Sequence, residues 1–285
     1  MTVYAQSARF DTGRAMTEDE LRRAAPSIFA TTARPDKSAR FAPIATIDAV
    51  RALAKEGFSV VGAKQCVAKR ADGGPFSKHL LRIRRLNDAV EHRVGDTVFE
   101  MLLKNANDGS SKWNLMGGLF KIACLNSLVA ALASLENIAV RHTGDALHKV
   151  IEGTFTVLAE GQKAIEAPLE WSKINLNDDQ RLDYAKAAHL VRFGDAEGNV
   201  TTNVKPEQLL SPRRTQDVGN DLWKTFNVVQ ENVIRGGVPA FGTDTRGRYV
   251  RRHTRAINGI DQDLKLNKAL WMITQSWADH AKAAA

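Results

Sequence analysis

Short runs of apolar and β-branched residues in the first half of the chain predict an antiparallel meander. They lie at 58–67, 78–85 and 98–104, and residues that favour turns follow each run. The last run leads into Asp108-Gly109, a pair that accommodates the positive φ angles of a tight hairpin. Residues 110–116 are therefore expected to return as a further strand.

A change of period near Gly118 predicts a helix directly after this hairpin. The apolar positions at helical spacing are Leu119, Ile122, Ala123, Val129 and Leu132. We expect this helix to pack on the hairpin.

Helical patterns also occur at both ends of the chain. A capping box at Thr17 to Glu20 predicts a short helix that stops before Pro26, and Thr46 is expected to cap a second at 47–56. The second half predicts four longer helices, at about 147–165, 178–191, 215–234 and from 260 to the alanine-rich end.

These patterns predict an α+β fold, in which an antiparallel β-meander covered by helices precedes a mostly helical second half. We expect an N-terminal arm with one short helix at 1–40 and a core of meander plus helix at 41–140. A helical region at 141–285, which contains a basic segment at 243–255, is expected to pack on that core as one composite domain.

The composition is that of an ordinary globular protein, with 44% hydrophobic and 25% charged residues among 285. The sequence has neither an apolar run long enough to cross a membrane nor the apolar core of a secretory signal. Both cysteines, Cys66 and Cys124, lie in apolar contexts typical of reduced, buried thiols. We therefore expect a cytoplasmic protein.

A net charge of +8 indicates a polyanionic partner, and two segments concentrate the positive charge. In the run 78–85, alternation places Lys78, Arg82 and Arg84 on the face opposite Leu81 and Ile83. Such a face is suited to a phosphate backbone, although a solvated sheet face gives the same pattern.

The second basic segment has cations at Arg246, Arg248, Arg251, Arg252, His253 and Arg255. Tyr249 lies among them and is a candidate to stack on an exposed base. The alternative is a basic loop that pairs with acidic helix starts. Trp113 follows the polar turn at Asp108-Gly109 and is a second stacking candidate, although core packing is usual for tryptophan.

No catalytic arrangement is evident in the sequence. The histidines and cysteines lack metal-binding spacing, and phosphate-loop and serine-hydrolase motifs are absent. The acids Asp178, Asp179 and Asp183 lie at a predicted helix start, where they complement the helix dipole. We expect no enzyme activity, cofactor or bound metal, with a nuclease as the alternative.

Four stretches resemble one family, the phage/plasmid-like family of unknown function catalogued as domain 932. They are DGSSKWNLMGGLFKIACLNSLV at 108–129, RHTG at 141–144, TFNVVQENVIRGG at 225–237 and LNKALW at 266–271. Residues 124–127 depart from the family pattern, since Cys-Leu-Asn-Ser stands where members often carry Cys-Ser-Asn-Gly. The resemblance implies a phage, prophage or conjugative plasmid within a bacterial host cell.

The predicted order of meandering strands and a helix also resembles the core of single-strand annealing proteins such as phage Red beta. With the two basic segments, it leads us to expect a protein that binds single-stranded DNA and promotes annealing and recombination as a homo-oligomer. RNA is an alternative ligand. A different hypothesis is a phage or plasmid counter-defence protein that acts by binding a host protein.

Overall fold

The described residues form a sheet of five antiparallel strands, of which the sequence predicts the first four and not the fifth. The strands are β1 (Phe58–Gln65), β2 (His79–Arg85), β3 (Thr97–Asn105), β4 (Trp113–Lys121) and β5 (Ile138–Val140), and they pair in chain order. The computed structural model describes residues 14–32, 34–37, 44–66, 71–85, 97–121, 138–142, 145–243 and 246–283. It confirms the α+β class.

The turn between β3 and β4 is built as its sequence predicts. Gly109 has a φ of 71°, and the amide of Ser110 donates to the Asp108 carboxylate at 2.8 Å. Because only glycine adopts such a φ without strain, the turn fixes the register in which Leu103 pairs with Leu115.

The helix predicted directly after Gly118 is wrong at its start, because β4 continues to Lys121 and includes Leu119. Gly117 and Gly118 pair with Met101 and Glu100 of β3, so the strand runs through both glycines. The remaining positions of that prediction, Ile122, Ala123, Val129 and Leu132, lie outside the described residues.

The described part of the first unit also contains three α-helices: α1 (Glu18–Ala24), α2 (Thr46–Lys55) and α3 (Ala146–Ala164). The capping box of α1 forms as predicted, with the Thr17 hydroxyl accepting from the Glu20 amide. Helix α2 begins at Thr46, so Thr46 is the first residue of the helix and not the predicted cap. The Thr46 hydroxyl contacts the buried His79.

One face of the sheet forms the apolar core with these helices. Leu81, Ile83, Met101, Leu103 and Leu115 lie on this face and are buried together with residues of α1, α2 and α3. Gly161 of α3 lies so close to the Phe99 ring that a Cβ there would overlap it. A glycine at this position therefore lets α3 approach β3 closely.

The second unit is mostly helical, as the sequence predicts. Its helices are α4 (Ala167–Trp171), α5 (Asp178–Phe193), α6 (Leu222–Arg235) and α7 (Ile260–Ala283). Helix α5 starts at the Asn177 capping box. Helix α6 starts later than expected, since Asp221 caps it and Thr215–Asp217 form a separate 3₁₀ turn.

The core of the second unit is aromatic. Trp171 packs against Trp223, Phe226 and Trp271, with ring centroids 4.3–6.1 Å apart. Trp171 and Trp271 are buried and Trp223 is half-buried, so these tryptophans serve packing.

The boundary between the two compact units differs from the predicted one. Helix α3 belongs to the unit of the sheet, and the second unit takes the described residues from Ile165 onward. The long helix that begins the second half of the sequence is therefore a layer of the meander domain. Among the described residues, no helix combines the length and apolarity that crossing a membrane requires.

Candidate nucleic-acid interface

The basic segment near the end of the chain folds as a β-hairpin. Strand β6 (Pro239–Thr243) pairs with β7 (Tyr249–His253), and Phe241 lies opposite Arg251 while Thr243 lies opposite Tyr249. Directly opposed residues of an antiparallel pair project from the same face. One face of the hairpin therefore carries Phe241, Tyr249, Arg251 and His253.

Two aromatic rings on this face stack on each other in solvent. The rings of Phe241 and Tyr249 have centroids 5.8 Å apart and planes within 5° of parallel. Phe241 is 43% exposed and Tyr249 is 76% exposed. Large aromatic side chains usually lose most of their exposure on folding, so an exposed stacked pair indicates a contact surface.

The hairpin is also strongly cationic. Its exposed arginines are Arg246, Arg248, Arg251, Arg252 and Arg255. Within the described part of the chain, no ion pair involves Arg251 or Arg252. The alternative hypothesis, in which the segment pairs with acidic helix starts, is therefore not supported at these two residues.

Hydrogen bonds at its base hold the hairpin in place. The amide of Gly237 donates to the Thr254 carbonyl at 2.8 Å, and the amide of Thr254 donates to the Val238 carbonyl at 2.9 Å. The side-chain amides of Gln208 and Asn203 donate to the carbonyls of Pro239 and Phe241 at 2.9 and 2.5 Å. These contacts hold β6, and through it the hairpin that carries the aromatic pair, in a fixed position.

The two sheet arginines predicted to contact phosphate lie in the interior. Arg82 and Arg84 have side chains 14% and 6% exposed, and both bind Glu100, which is fully buried. The Arg82 Nε donates to Glu100 Oε2 at 2.6 Å, and Arg84 donates to Oε1. Burial lowers the pKa of Arg82, and the Glu100 carboxylate opposes that shift.

This arrangement corrects the expectation of an accessible cationic face on β2. Alternation along β2 does separate Arg82 and Arg84 from the apolar core, but the second face is buried as well, and the carboxylate on β3 compensates the charges. Gly62 on β1 makes room for this pair, since a Cβ there would come within 3.2 Å of Arg82 Cδ. Lys78 is half-buried just before β2.

Trp113 does not offer a surface for a base, because it is fully buried. Its indole N–H donates to His142 Nδ1 at 3.3 Å, and His142 Nε2 lies 3.2 Å from the carbonyl oxygen of Ser111. Because Nδ1 accepts, Nε2 must carry the proton and donate to that carbonyl. Burial lowers the pKa of His142, which favours this neutral form. The polar turn before Trp113 is therefore tied to His142, two residues beyond the end of β5.

A second buried histidine organises the polar centre of the first unit. The Nδ1 of His79 lies 2.8 Å from the Ser27 hydroxyl, and its Nε2 lies 2.8 Å from the Thr46 hydroxyl. Burial lowers the pKa of His79 to about 4. This neutral histidine is enclosed by hydroxyl groups and is inaccessible to a substrate.

The described residues contain no group of three or more histidine, cysteine, aspartate or glutamate side chains placed to hold a metal ion.

The sequence analysis missed Phe241, the residue whose ring stacks on Tyr249. The signal was weak, because Phe241 stands alone between Ala240 and Gly242 in a segment without regular alternation. Only the register of the hairpin brings the two rings together.

Comparison with known proteins gives a family without a recorded activity. The model of the family described as "Domain of unknown function (DUF932)" matches residues 36–271. Two curated Escherichia coli (strain K12) proteins, UPF0380 protein YafZ and UPF0380 protein YfjQ, are each 37% identical over 263 residues, which is 92% of this chain and of each relative. No solved structure matches the chain.

Proposed function

The chain belongs to the DUF932 family, and we propose that this member binds single-stranded nucleic acid through the β6–β7 hairpin. The observation that carries the proposal is the exposed Phe241–Tyr249 stack on the same hairpin face as Arg251. Positive charge beside exposed aromatic rings is the combination by which proteins hold single strands without reading their sequence.

The two kinds of side chain perform different tasks. Arg251, on the face of the stack, and Arg252, on the opposite face, contact phosphates on the two sides of the β7 edge. There a guanidinium donates two parallel hydrogen bonds and displaces condensed counterions. The outer face of Tyr249 stacks on one base, and Phe241 supports the ring from behind. Because a base inside a duplex has both faces covered by its neighbours, this contact favours a single strand.

This mode of binding also supports annealing. Arginines on phosphates and tyrosine on a base face leave the Watson–Crick edge of that base accessible to a complementary strand. We propose that the chain promotes annealing as a homo-oligomer, which would hold many nucleotides of one strand in this state. The reaction needs no cofactor. Because two curated relatives come from E. coli, we place this activity in the bacterial cytoplasm.

Fluorescence anisotropy with a labelled oligothymidylate tests the binding proposal. We expect the chain to bind the single strand more tightly than a duplex of the same length. Tyr249→Ala should weaken single-strand binding by about 1–3 kcal/mol, or about 5- to 150-fold, because one base loses its stacking partner. Val218→Ala, a substitution of another exposed apolar residue of the second unit, serves as the control and should bind like the wild type.

An oligoribonucleotide in the same assay decides between DNA and RNA. If neither nucleic acid bound, or if Tyr249→Ala bound a single strand like the wild type, the hairpin proposal would fail. A host protein would then become the favoured ligand.

A further inference from the structure

A second group of arginines surrounds the end of α6, beside the base of the hairpin. Arg235 lies in the last turn of α6, and Arg213 and Arg214 belong to the segment that precedes it. We call these three residues the α6 arginine cluster. Its anchor is Glu231, whose side chain is 2% exposed and whose Oε1 accepts from Arg214 and from Arg235, each at 2.7 Å.

Arg213 is held by neutral acceptors. Its Nε donates to the Asn232 side-chain oxygen at 2.7 Å, and its Nη2 donates to the carbonyl of Gly236. In the described part of the chain, no carboxylate forms an ion pair with Arg213. These contacts use two of the five N–H groups of a guanidinium, and the residue as a whole is exposed.

The electrostatics of the cluster favour an anion. Desolvation lowers the pKa of Arg213; Glu231 opposes the shift, and the nearby charges of Arg235 and Arg214 add to it. Like charges held together by fixed contacts repel one another, and an anion between them relieves that repulsion. Guanidinium groups with fixed geometry bind phosphate oxygens well, because they donate in pairs and lose little entropy on binding.

The position of the cluster connects it to the hairpin. Gly236 and Gly237 have φ angles of 65° and 76°, and a Cβ on Gly236 would come within 2.6 Å of the Thr254 carbonyl oxygen. Only glycines permit the chain to pass so directly from α6 into β6. Phe241 lies four residues beyond Gly237 on the extended strand, a distance of about 13 Å. A few nucleotides span that distance.

We propose that the α6 arginine cluster is a phosphate-binding site that holds the backbone of the same strand that the hairpin binds. Arg213 and Arg235, which are both exposed, contact the phosphate, and Glu231 keeps Arg214 and Arg235 in place. The identity of the ligand as a nucleic acid strand rests on the proposed function, whereas the affinity for phosphate does not. The two parts can therefore be tested separately.

Thermal unfolding in the presence of pyrophosphate, at constant ionic strength, tests the phosphate site. A ligand that binds only the folded state raises the melting temperature, so we expect pyrophosphate to do so for the wild type. Arg235→Gln should remove most of that rise. Lys265→Gln/Lys268→Gln changes two exposed lysines of α7 and should keep it.

Arg213→Lys provides a second variant. Unlike Arg235→Gln, it keeps the positive charge of the cluster. It loses the paired donors and should also reduce the rise. Circular dichroism verifies that both variants are folded. If Arg235→Gln and Arg213→Lys showed the full wild-type response to pyrophosphate, or if the wild type showed none, the phosphate site would be refuted.

Strand binding by the same variants separates this proposal from the hairpin proposal. We expect Arg235→Gln to weaken binding of a long oligothymidylate several-fold and to change binding of the shortest bound oligomer little, since only a longer strand reaches both surfaces. A pyrophosphate response without any strand binding would keep the phosphate site and overturn both its assignment to a strand and the proposed function. If Arg235→Gln weakened binding equally for oligomers of all lengths, the proposal that one strand contacts both the hairpin and the α6 arginine cluster would be refuted.

Discussion

The buried charges of the first unit show how one residue decides the role of another. Glu100 lies on β3 opposite Gly118 and binds Arg82 and Arg84 of β2. The sequence predicts which face the arginines occupy, because alternation determines that face. It does not predict their burial, because alternation looks the same whether the second face meets solvent or protein.

Glu100→Gln should destabilise the chain by about 3–5 kcal/mol, because it removes the shared carboxylate from two interior guanidinium groups. Urea unfolding followed by circular dichroism measures the change. Glu152→Gln makes the same chemical change at an exposed position of α3 and should stay within about 0.5 kcal/mol of the wild type. A similar small effect for Glu100→Gln would show that the pair contributes little to stability.

His79 makes stability depend on pH. The folded state keeps His79 neutral down to about pH 4, whereas the unfolded chain takes up the proton near the ordinary pKa of 6.5. Between these values the unfolded state binds more protons, so the free energy of unfolding should fall as pH falls, by about 3 kcal/mol across the interval. The lowered pKa of His142 acts in the same direction.

Urea unfolding at a series of pH values checks this prediction. His79→Gln should lower stability at neutral pH and flatten the decline between pH 6.5 and about 4. His148→Gln alters an exposed histidine of α3 and should leave the decline in place. An unchanged decline in His79→Gln would mean that other groups cause it.

At the scale of elements, periodicity predicts the regular parts of the fold and misses two others. The first four strands of the meander and the helix cap at Thr17 are confirmed. The start of the helix predicted at Gly118 fails, because Leu119 fits a helical and a strand pattern equally well. The hairpin β6–β7 is missed because neither of its strands contains a buried residue, so no apolar alternation marks them.

The packing of α3 on the sheet provides a test at this scale. Gly161→Ala should destabilise the chain by about 1–3 kcal/mol, because the new methyl group overlaps the Phe99 ring, even though alanine favours a helix. Thermal or urea unfolding measures the loss. Gly74→Ala adds a methyl group with no neighbour within 4 Å and should be nearly neutral.

Combining Gly161→Ala with Phe99→Leu isolates the overlap from other effects. The smaller side chain frees space for the methyl group, so the double variant should lose less stability than the sum of the two single variants. If the losses of stability of the two single variants simply added, α3 would not pack against Phe99 at Gly161.

At the scale of the whole molecule, the net charge of +8 indicates a polyanionic partner but does not show where it binds. The structure separates the basic residues of the two predicted segments into two kinds. Those of β2 are compensated in the interior by Glu100, and those of the β6–β7 hairpin are exposed beside an aromatic stack. Composition cannot make this distinction, since it depends on a carboxylate from another strand and on the hairpin register.

The salt dependence of strand binding tests the central claim most directly. The logarithm of the binding constant for an oligothymidylate should fall linearly with the logarithm of salt concentration, with a slope of about 0.7 for each phosphate contacted. Arg251→Ala/Arg252→Ala should reduce that slope by about 1.4 and weaken binding alike for all sequences. The matched control is Lys265→Ala/Lys268→Ala on α7, which removes the same charge from exposed positions and should leave the slope unchanged. Wild-type affinity and slope in the arginine variant, or an equal loss in the lysine control, would contradict binding at the hairpin.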